Sequence, residues 1–152
     1  MKIGIVGHEA KKFIPYTEQM ARELIRQLLE PADSVLVSGH CHLGGIDIWA
    51  EEIAKALGAF DPALIFAPKN QHWSTGYKPR NQQIAETAAV VHNIVVARYP
   101  EGYADLRFED EQTGLPYCYH CKTDQHVKSG GCWTAKYAKE LGKPAYWHVL
   151  EV

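Results

Sequence analysis

Short runs of branched apolar residues alternate along this chain with stretches that carry apolar residues at helical spacing. Each run is bounded by Gly, Pro, Asp or Ser and has the length and composition of a strand buried on both faces. The five runs are Ile3–Val6, Val35–Val37, Leu64–Ala67, Val90–Val96 and Ala145–Val149. Strands that alternate with helices predict right-handed crossovers, and therefore an α/β fold with a parallel sheet of about five strands and helices on both faces.

One segment does not follow this alternation. Residues 99–128 are polar and aromatic, and a structureless loop of that length is unusual inside a compact domain. Two short runs within it, Leu106–Phe108 and Tyr117–Tyr119, could pair as a hairpin. With 152 residues in total, the chain predicts a single domain, 1–152, that carries an insert at 99–128 with Cys and His residues.

Charge and hydropathy exclude several classes of function. Sixteen basic residues against eighteen acidic ones give a net charge of −2, which does not favour binding to duplex nucleic acid. No apolar run approaches the roughly 20 residues of a membrane span, and the apolar start is too short for a signal peptide. We therefore expect a cytoplasmic protein without membrane contacts, whose four cysteines are reduced, metal-bound or reactive.

Glycines concentrate where predicted strands end and helices begin. In a parallel sheet, ligands bind outside the carboxyl ends of the strands, and a glycine turn at a helix N-terminus favours an anion. Gly44–Gly45 precedes the second helix, and Gly130–Gly131 precedes the last one. The candidate ligand-binding residues are Gly7, His8, Ser38, Gly39, His40, Gly44, Gly45, Asp47, Arg80, Asn81, Ser129, Gly130, Gly131 and Thr134.

Several of these side chains have distinct expected roles. Arg80 is a candidate clamp for a phosphate or carboxylate, and His40 is expected to face the pocket. Trp73 and Tyr77 precede Arg80 and could stack on a base, whereas Trp133 fits a helical stripe and is interpreted as packing.

Three motifs together resemble the SLOG superfamily of Rossmann-like proteins. They are Ser38-Gly39-x4-Gly44-Gly45-Ile46-Asp47, Lys78-Pro79-Arg80-Asn81-x2-Ile84-Ala85 and Ser129-Gly130-Gly131-x2-Thr134, in the order of that superfamily. The superfamily includes DNA-processing A proteins, "Lonely Guy" phosphoribohydrolases and small stand-alone proteins thought to bind nucleotide derivatives. The resemblance implies a Rossmann-like fold, a pocket for a nucleotide-like small molecule, an orienting role for Asp47, and a dimer or higher homo-oligomer.

The chain departs from the enzymes of that superfamily at one position. Lonely Guy proteins carry a catalytic glutamate three residues after the threonine of the last motif, and this chain has Tyr137 there. Glu9 or Glu86 could replace that carboxylate in space. We therefore expect non-catalytic binding of a nucleotide or a nucleotide-derived molecule. A nucleotide N-glycosidic hydrolase and a zinc-stabilised interaction module are the alternatives.

The cysteines suggest a metal site. Cys118-x2-Cys121 lies in the insert, and His126 and Cys132 follow, so these four residues could bind one structural zinc ion. Plain thiols and a redox CxxC remain alternatives. Cys132 could instead be reactive, because it lies near a helix N-terminus. His40-Cys41-His42 could contact a metal or a phosphate, although adjacent ligands do not suit a shared ion.

Overall fold

The computed structural model describes residues 1–103, 109 and 112–152. It is an α/β fold in which four parallel strands alternate with α-helices. The strands are β1 (Lys2–Gly7), β2 (Val35–Val37), β3 (Val90–Val96) and β4 (Ala145–Leu150). The α-helices are α1 (Pro15–Leu29), α2 (Ile46–Leu57), α3 (Lys78–Thr87) and α4 (Gly130–Glu140).

The order of the strands in the sheet is β2-β1-β3-β4, and every neighbouring pair is parallel. The chain passes from β1 outward to β2 and then returns across β1 to form β3. The winding therefore reverses between β1 and β3, which leaves a crevice at their carboxyl ends. Gly7, the last residue of β1, pairs in register with Ile94 and lies at this point.

Helices cover both faces of the sheet, as the sequence predicts. On one face, α1 and α2 pack over a core that includes Ile5, Ile25 and Ile94. On the other face, α3 and α4 pack over Val37 and Val91 through small residues of both helices. Alanines on α3 and α4 bring these helices close to the strands, and this holds the N-terminus of α4 against β1 and β3.

The described residues form four strands rather than about five, because Leu64–Ala67 does not form one. Pro62–Leu64 is a 3-10 turn, closed by the Asp61 side chain, which accepts a hydrogen bond from the Ala63 amide. Only Ile65 then pairs with the end of β2, in a single parallel bridge to Ser38. A proline and an aspartate cap therefore prevent an apolar run from extending into a strand.

Residues 99–128 connect β3 to α4. Their described part contains turns and two isolated antiparallel bridges, Glu109 to Pro116 and Cys118 to Thr123. The predicted strand Tyr117–Tyr119 is replaced by this second bridge, and its proposed partner Leu106–Phe108 lies outside the described residues. Among the described helices, none combines the length and apolar character that a membrane span requires.

Candidate functional site

A cleft of about 720 Å³ opens at the crevice between the carboxyl ends of β1 and β3. This volume is suited to a small organic ligand. The lining residues come from the ends of β1, from the loops that precede α2 and α4, from α3, and from the turn after Cys118. Among them are Gly7, His8, Glu9, Lys12, Asp47, Trp73, Tyr77, Arg80, Asn81, Lys128, Ser129, Gly130, Gly131, Trp133 and Thr134.

The first turn of α4 forms part of the cleft wall. Ser129 caps this helix, and its hydroxyl accepts a hydrogen bond from the Gly131 amide at 3.0 Å. A Cβ at Gly130 would meet no atom within 4 Å, so this residue faces open space. The partial positive charge of a helix N-terminus therefore points into the cleft at a place where a ligand can approach the backbone.

Aromatic side chains provide a second part of the wall. The indole rings of Trp73 and Trp133 meet edge to face, with their centroids 5.2 Å apart. Trp73 is 46% exposed, which leaves part of its ring open to a partner. Sequence reasoning assigned Trp133 to packing, but it lines the cleft, because the helical stripe that contains it begins beside the cleft. The Arg80 guanidinium lies over the Tyr77 ring, with its Cζ atom 5.6 Å from the ring centroid.

Two lysines add positive charge to the cleft. Lys12 lies 3.7 Å from the Glu9 carboxylate, and burial lowers its pKa although Glu9 opposes this effect. Lys128 directly precedes the α4 cap, and its ammonium group lies 5.5 Å from the centre of the Tyr119 ring. Sequence reasoning missed both lysines as ligand-binding candidates, because isolated lysines carry no motif.

Asp47 and Arg80 hold the β2 loop in place. The Asp47 carboxylate accepts hydrogen bonds from the Ser38 hydroxyl at 3.3 Å and the Cys41 amide at 3.1 Å. Arg80 donates to the Gly39 carbonyl oxygen at 2.7 Å, so this guanidinium ties α3 to the end of β2. Burial raises the pKa of Asp47, while the nearby Arg80 charge lowers it. The Nη2 atom of Arg80 makes no hydrogen bond to the described residues and remains available to an anion.

The glycine turn before α2 has a different environment. Gly44 donates to the Cys41 carbonyl at 3.1 Å, and the Ile46 amide donates to the His8 carbonyl at 3.1 Å. The amides of Gly44 and Ile46 are therefore bonded within the protein. His40 also points elsewhere, because its ring forms a 2.6 Å hydrogen bond with Glu51 on α2.

His8 connects the two glycine turns. Its Nδ1 accepts a hydrogen bond from the Val96 amide, so Nε2 carries the proton and donates it to the carbonyl oxygens of Val127 at 3.1 Å and Lys128 at 2.9 Å. Burial, followed by the Lys12 charge, lowers the pKa of His8 to about 3. His8 is therefore neutral at physiological pH, and its hydrogen bonds join β3 to the segment before α4 at the base of the cleft.

Four potential metal ligands lie together on the side of α4 that faces β3 and β4. The ligand atoms of Cys118, Cys121, His126 and Cys132 all lie within 4.8 Å of one another. The Cys118 and Cys132 sulfurs are 3.8 Å apart. Two sulfurs bound at about 2.3 Å to one tetrahedral ion would be separated by roughly that distance. The predicted set of four ligands is thus assembled, and it could hold a metal ion.

One thiol of this cluster is favoured as a thiolate. The hydrogen bond with Cys132, and then the backbone amides of Cys121 and His120, lower the pKa of Cys118 to about 4. Burial, and then the charge of Cys118, raise the pKa of Cys121, whereas the hydrogen bond with Cys118, and then burial, raise the pKa of Cys132. Asn93 donates to the Cys132 sulfur at 3.3 Å.

Two aromatic side chains complete the surroundings of this cluster. The Nδ1 atom of His126 lies 2.9 Å from the Val127 carbonyl oxygen, so this nitrogen carries the proton and Nε2 is free to bind a metal. The buried Nε1 of Trp147 has no hydrogen-bond partner of ordinary geometry among the described residues, and its proximity weakly opposes the increases in the pKa of Cys121 and Cys132.

The structure thus divides the predicted ligand-binding residues into two sets. Those that line the cleft are Gly7, His8, Asp47, Arg80, Asn81, Ser129, Gly130, Gly131 and Thr134. Those that do not line it are Ser38, Gly39, His40, Gly44 and Gly45. Ser38 and Gly39 lie outside the cleft lining, where they form hydrogen bonds with the lining residues Asp47 and Arg80.

Neither a family model, nor a curated protein, nor a solved structure matches this chain. The cleft and the cluster of four potential metal ligands are therefore the features that indicate a function.

Proposed function

We propose that the cleft binds a nucleotide or a nucleotide-derived small molecule, with its phosphate at the α4 turn (Ser129–Gly131). The observation that carries this proposal is the combination, in one cleft, of an open helix N-terminus, two lysines and a partly exposed pair of indole rings. Such a cleft suits a ligand that has both an anionic group and a flat aromatic group. A nucleotide has both, and the resemblance to SLOG proteins leads to the same class of ligand.

The phosphate is assigned to the α4 turn because a helix N-terminus carries partial positive charge and a lysine lies beside it. Gly130 leaves room for the ligand, and Lys128 directly precedes the helix cap. Arg80 faces the same cleft and retains an uncommitted nitrogen among its described contacts. Backbone amides and a cation together form the usual arrangement for a bound phosphate.

The base is assigned to the aromatic wall. The Trp73 ring is partly exposed, and it contacts the Trp133 ring in an edge-to-face arrangement. Stacking on such a ring contributes about 1–3 kcal/mol per base and tolerates different bases. We therefore expect preference for the nucleotide class to exceed preference among bases.

Binding is favoured over glycosidic hydrolysis by the state of the carboxylates. Asp47 is committed to the Ser38 hydroxyl and the Cys41 amide, and Glu9 is paired with Lys12. The Tyr137 hydroxyl donates to Glu86 at 3.4 Å, and neither residue lines the cleft. A general acid must reach the glycosidic bond, and these contacts provide no uncommitted carboxylate for that role.

Calorimetric titration with the four ribonucleoside 5′-monophosphates, the matching nucleosides and inorganic phosphate tests this proposal. Monophosphates should bind more tightly than the nucleosides. Lys128→Ala should weaken their binding about tenfold, the loss expected for one charged hydrogen bond. Lys2→Ala is the matched control, because Lys2 is exposed at the opposite edge of the sheet.

Two outcomes would overturn the binding proposal. The first is that no monophosphate binds. The second is steady release of free base from a monophosphate, measured by chromatography, which would establish the hydrolase instead.

We propose further that the ion held by the metal cluster is zinc, as a structural site. Three thiolates and one imidazole form a donor set typical of closed zinc sites. Metal analysis of the purified protein should give about one zinc per chain, and Cys118→Ser should lose it. Cys41→Ser should retain it, because Cys41 lies in the cleft and outside the cluster. Wild-type protein without zinc, or with another metal, would contradict the assignment.

A further inference from the structure

The metal ligands and the cleft share two short segments of the chain. Tyr119 and His120 line the cleft, and they lie between the ligands Cys118 and Cys121. Residues 128–131 also line the cleft, and they lie between the ligands His126 and Cys132. Each cleft-lining segment is therefore bracketed on both sides by potential ligands of the same ion.

Hydrogen bonds join the backbone at 127–128 to His8 and Val96, but these segments have little apolar packing on their far side. Among the described residues, the buried apolar cluster around the potential metal ligands consists of Val95, Cys118 and Cys132, with Cys121 and Trp147 partly buried against it. The turn from Cys118 to Thr123 is closed by one pair of backbone hydrogen bonds. So small a core contributes little to ordering a polar segment, and a bound ion would provide the missing constraint.

We infer that the metal ion acts as a coupling element that fixes two walls of the cleft, so that the metal-loaded protein is the form that binds ligand. This inference rests on the proposed function and extends it to regulation of the same site. The ion holds Cys132 in the first turn of α4 and His126 two residues before Lys128. Together with the packing of α4 on β1 and β3 and the hydrogen bonds from His8, the ion therefore fixes the position of the α4 cap and of the lysine beside it.

The β1 and α2 side of the cleft is held by contacts that do not involve the four potential metal ligands, so loss of the ion should affect only the other side. His8 is held by the Val96 amide of β3, and Asp47 is held by Ser38 and Cys41. Loss of the ion should therefore loosen the Tyr119–His120 and Lys128–Gly131 walls and leave the β1 and α2 side in place. A ligand whose phosphate binds at α4 would lose most of that interaction.

Hydrogen exchange measured by mass spectrometry tests the structural part without any nucleotide. Wild-type protein is compared as purified, after stripping with a chelator, and after zinc is restored. We expect amides in 118–121 and 127–132 to exchange at least tenfold faster in the stripped protein, an effect of the size usual for coupled sites. Amides in α2 should not change, and zinc should reverse the effect.

Calorimetry with adenosine 5′-monophosphate on the same three samples tests the functional part. We expect the stripped protein to bind at least tenfold more weakly, and restored zinc to recover the affinity. Cys121→Ser should behave like the stripped protein. Gln125→Ala is the matched control, because its exposed side chain lies in the same segment and offers no ligand.

The outcomes separate this inference from the proposals on which it rests. Equal exchange and equal affinity with and without zinc would overturn the coupling and leave nucleotide binding intact. Slower exchange with zinc, but no binding of adenosine monophosphate in any sample, would support the fixed walls and count against the nucleotide. If circular dichroism shows that Cys121→Ser is unfolded, the chelation and zinc-restoration series on wild-type protein decides the question.

Discussion

The turns before α2 and α4 both place two glycines at the start of a helix, yet they face different surroundings. At the α2 turn (Gly44–Gly45), a side chain on Gly45 would overlap the His8 carbonyl and the backbone of Glu9. At the α4 turn, Gly131 packs against Asn93 and the end of β1, whereas Gly130 faces the open cleft. Gly45 and Gly131 thus accommodate other parts of the protein, Gly44 makes only ordinary contact with Ala10, and Gly130 leaves open space.

A glycine pair at a helix N-terminus can therefore have two structural causes. It indicates that something approaches the backbone closely, but the approaching group can be another segment of the same chain. The β1 loop fills this place at α2, where the Ile46 amide donates to the His8 carbonyl. At α4, the Ser129 hydroxyl satisfies the Gly131 amide and the space in front of Gly130 stays open.

The largest effect on stability is expected for Gly45→Ala, which places a methyl group in the packed α2 turn. Gly45 has φ +85°, a conformation that L-residues rarely adopt, and its added Cβ would overlap backbone atoms rather than a flexible side chain. We expect a loss of about 4 kcal/mol in the free energy of unfolding, measured by urea denaturation. Gly44→Ala is the matched control, since its φ is also positive but its Cβ would lie 3.4 Å from Ala10. It should lose only about 1–2 kcal/mol. Equal losses for the two variants would mean that the positive φ, and not the overlap with the β1 loop, accounts for the loss of stability at Gly45.

The next effect is expected for Gly131→Ala at the other turn. The new methyl group would overlap the side-chain oxygen of Asn93, which is fully buried on β3 and cannot move into open space. We expect a loss of about 2–3 kcal/mol by urea denaturation. A loss below about 0.5 kcal/mol would show that α4 shifts outward easily, and that the α4 turn is less rigidly placed than the α2 turn.

Acid should weaken the link between the two turns. The pKa of His8 lies below its value in the unfolded chain, so the unfolded state binds more protons between about pH 6.5 and pH 3. The contribution of His8 to stability is therefore complete above pH 6.5 and falls with pH, by at most about 1.4 kcal/mol per pH unit. At pH 5, wild-type protein should have lost about 2 kcal/mol through this group.

The matched variant His8→Gln isolates this effect, because its amide can still donate to Lys128 but does not titrate. Urea denaturation of both proteins at pH 7, 6 and 5 should give a smaller decrease in stability for the variant. Equal decreases would mean that other groups, the metal ligands included, account for the sensitivity to acid.

Much of the fold could be predicted from the sequence because its signals are local. Branched apolar runs and helical stripes directly report burial on two faces of a strand or on one face of a helix. The failure at Leu64–Ala67 has the same origin, since an apolar run cannot show that Pro62 and Asp61 favour a 3-10 turn. The grouping of four potential metal ligands was also predicted, because a CxxC followed by His and Cys has the residue types of a metal site.

The cleft was less predictable because its walls are formed by residues distant in the chain. Lys12 and Lys128 enter the same cleft only after β1 and the α4 turn become neighbours. Likewise, the sequence cannot distinguish Gly45, filled by the β1 loop, from Gly130, which stays open. Motifs predict that backbone amides are exposed at a turn, whereas the tertiary packing decides which group occupies the space before them.

The smallest effect on stability is expected for Gly130→Ala. Its Cβ would meet no atom within 4 Å, so the free energy of unfolding should change by less than about 0.5 kcal/mol. The methyl group would nevertheless project where the phosphate is proposed to approach the α4 amides. Calorimetry should therefore show adenosine monophosphate bound about tenfold more weakly, a loss comparable to one charged hydrogen bond. Gly130 would then be the one glycine of the four whose substitution separates affinity from stability. Unchanged affinity in a stable variant would place the phosphate elsewhere in the cleft, with the Arg80 guanidinium as the next anion-binding group to test.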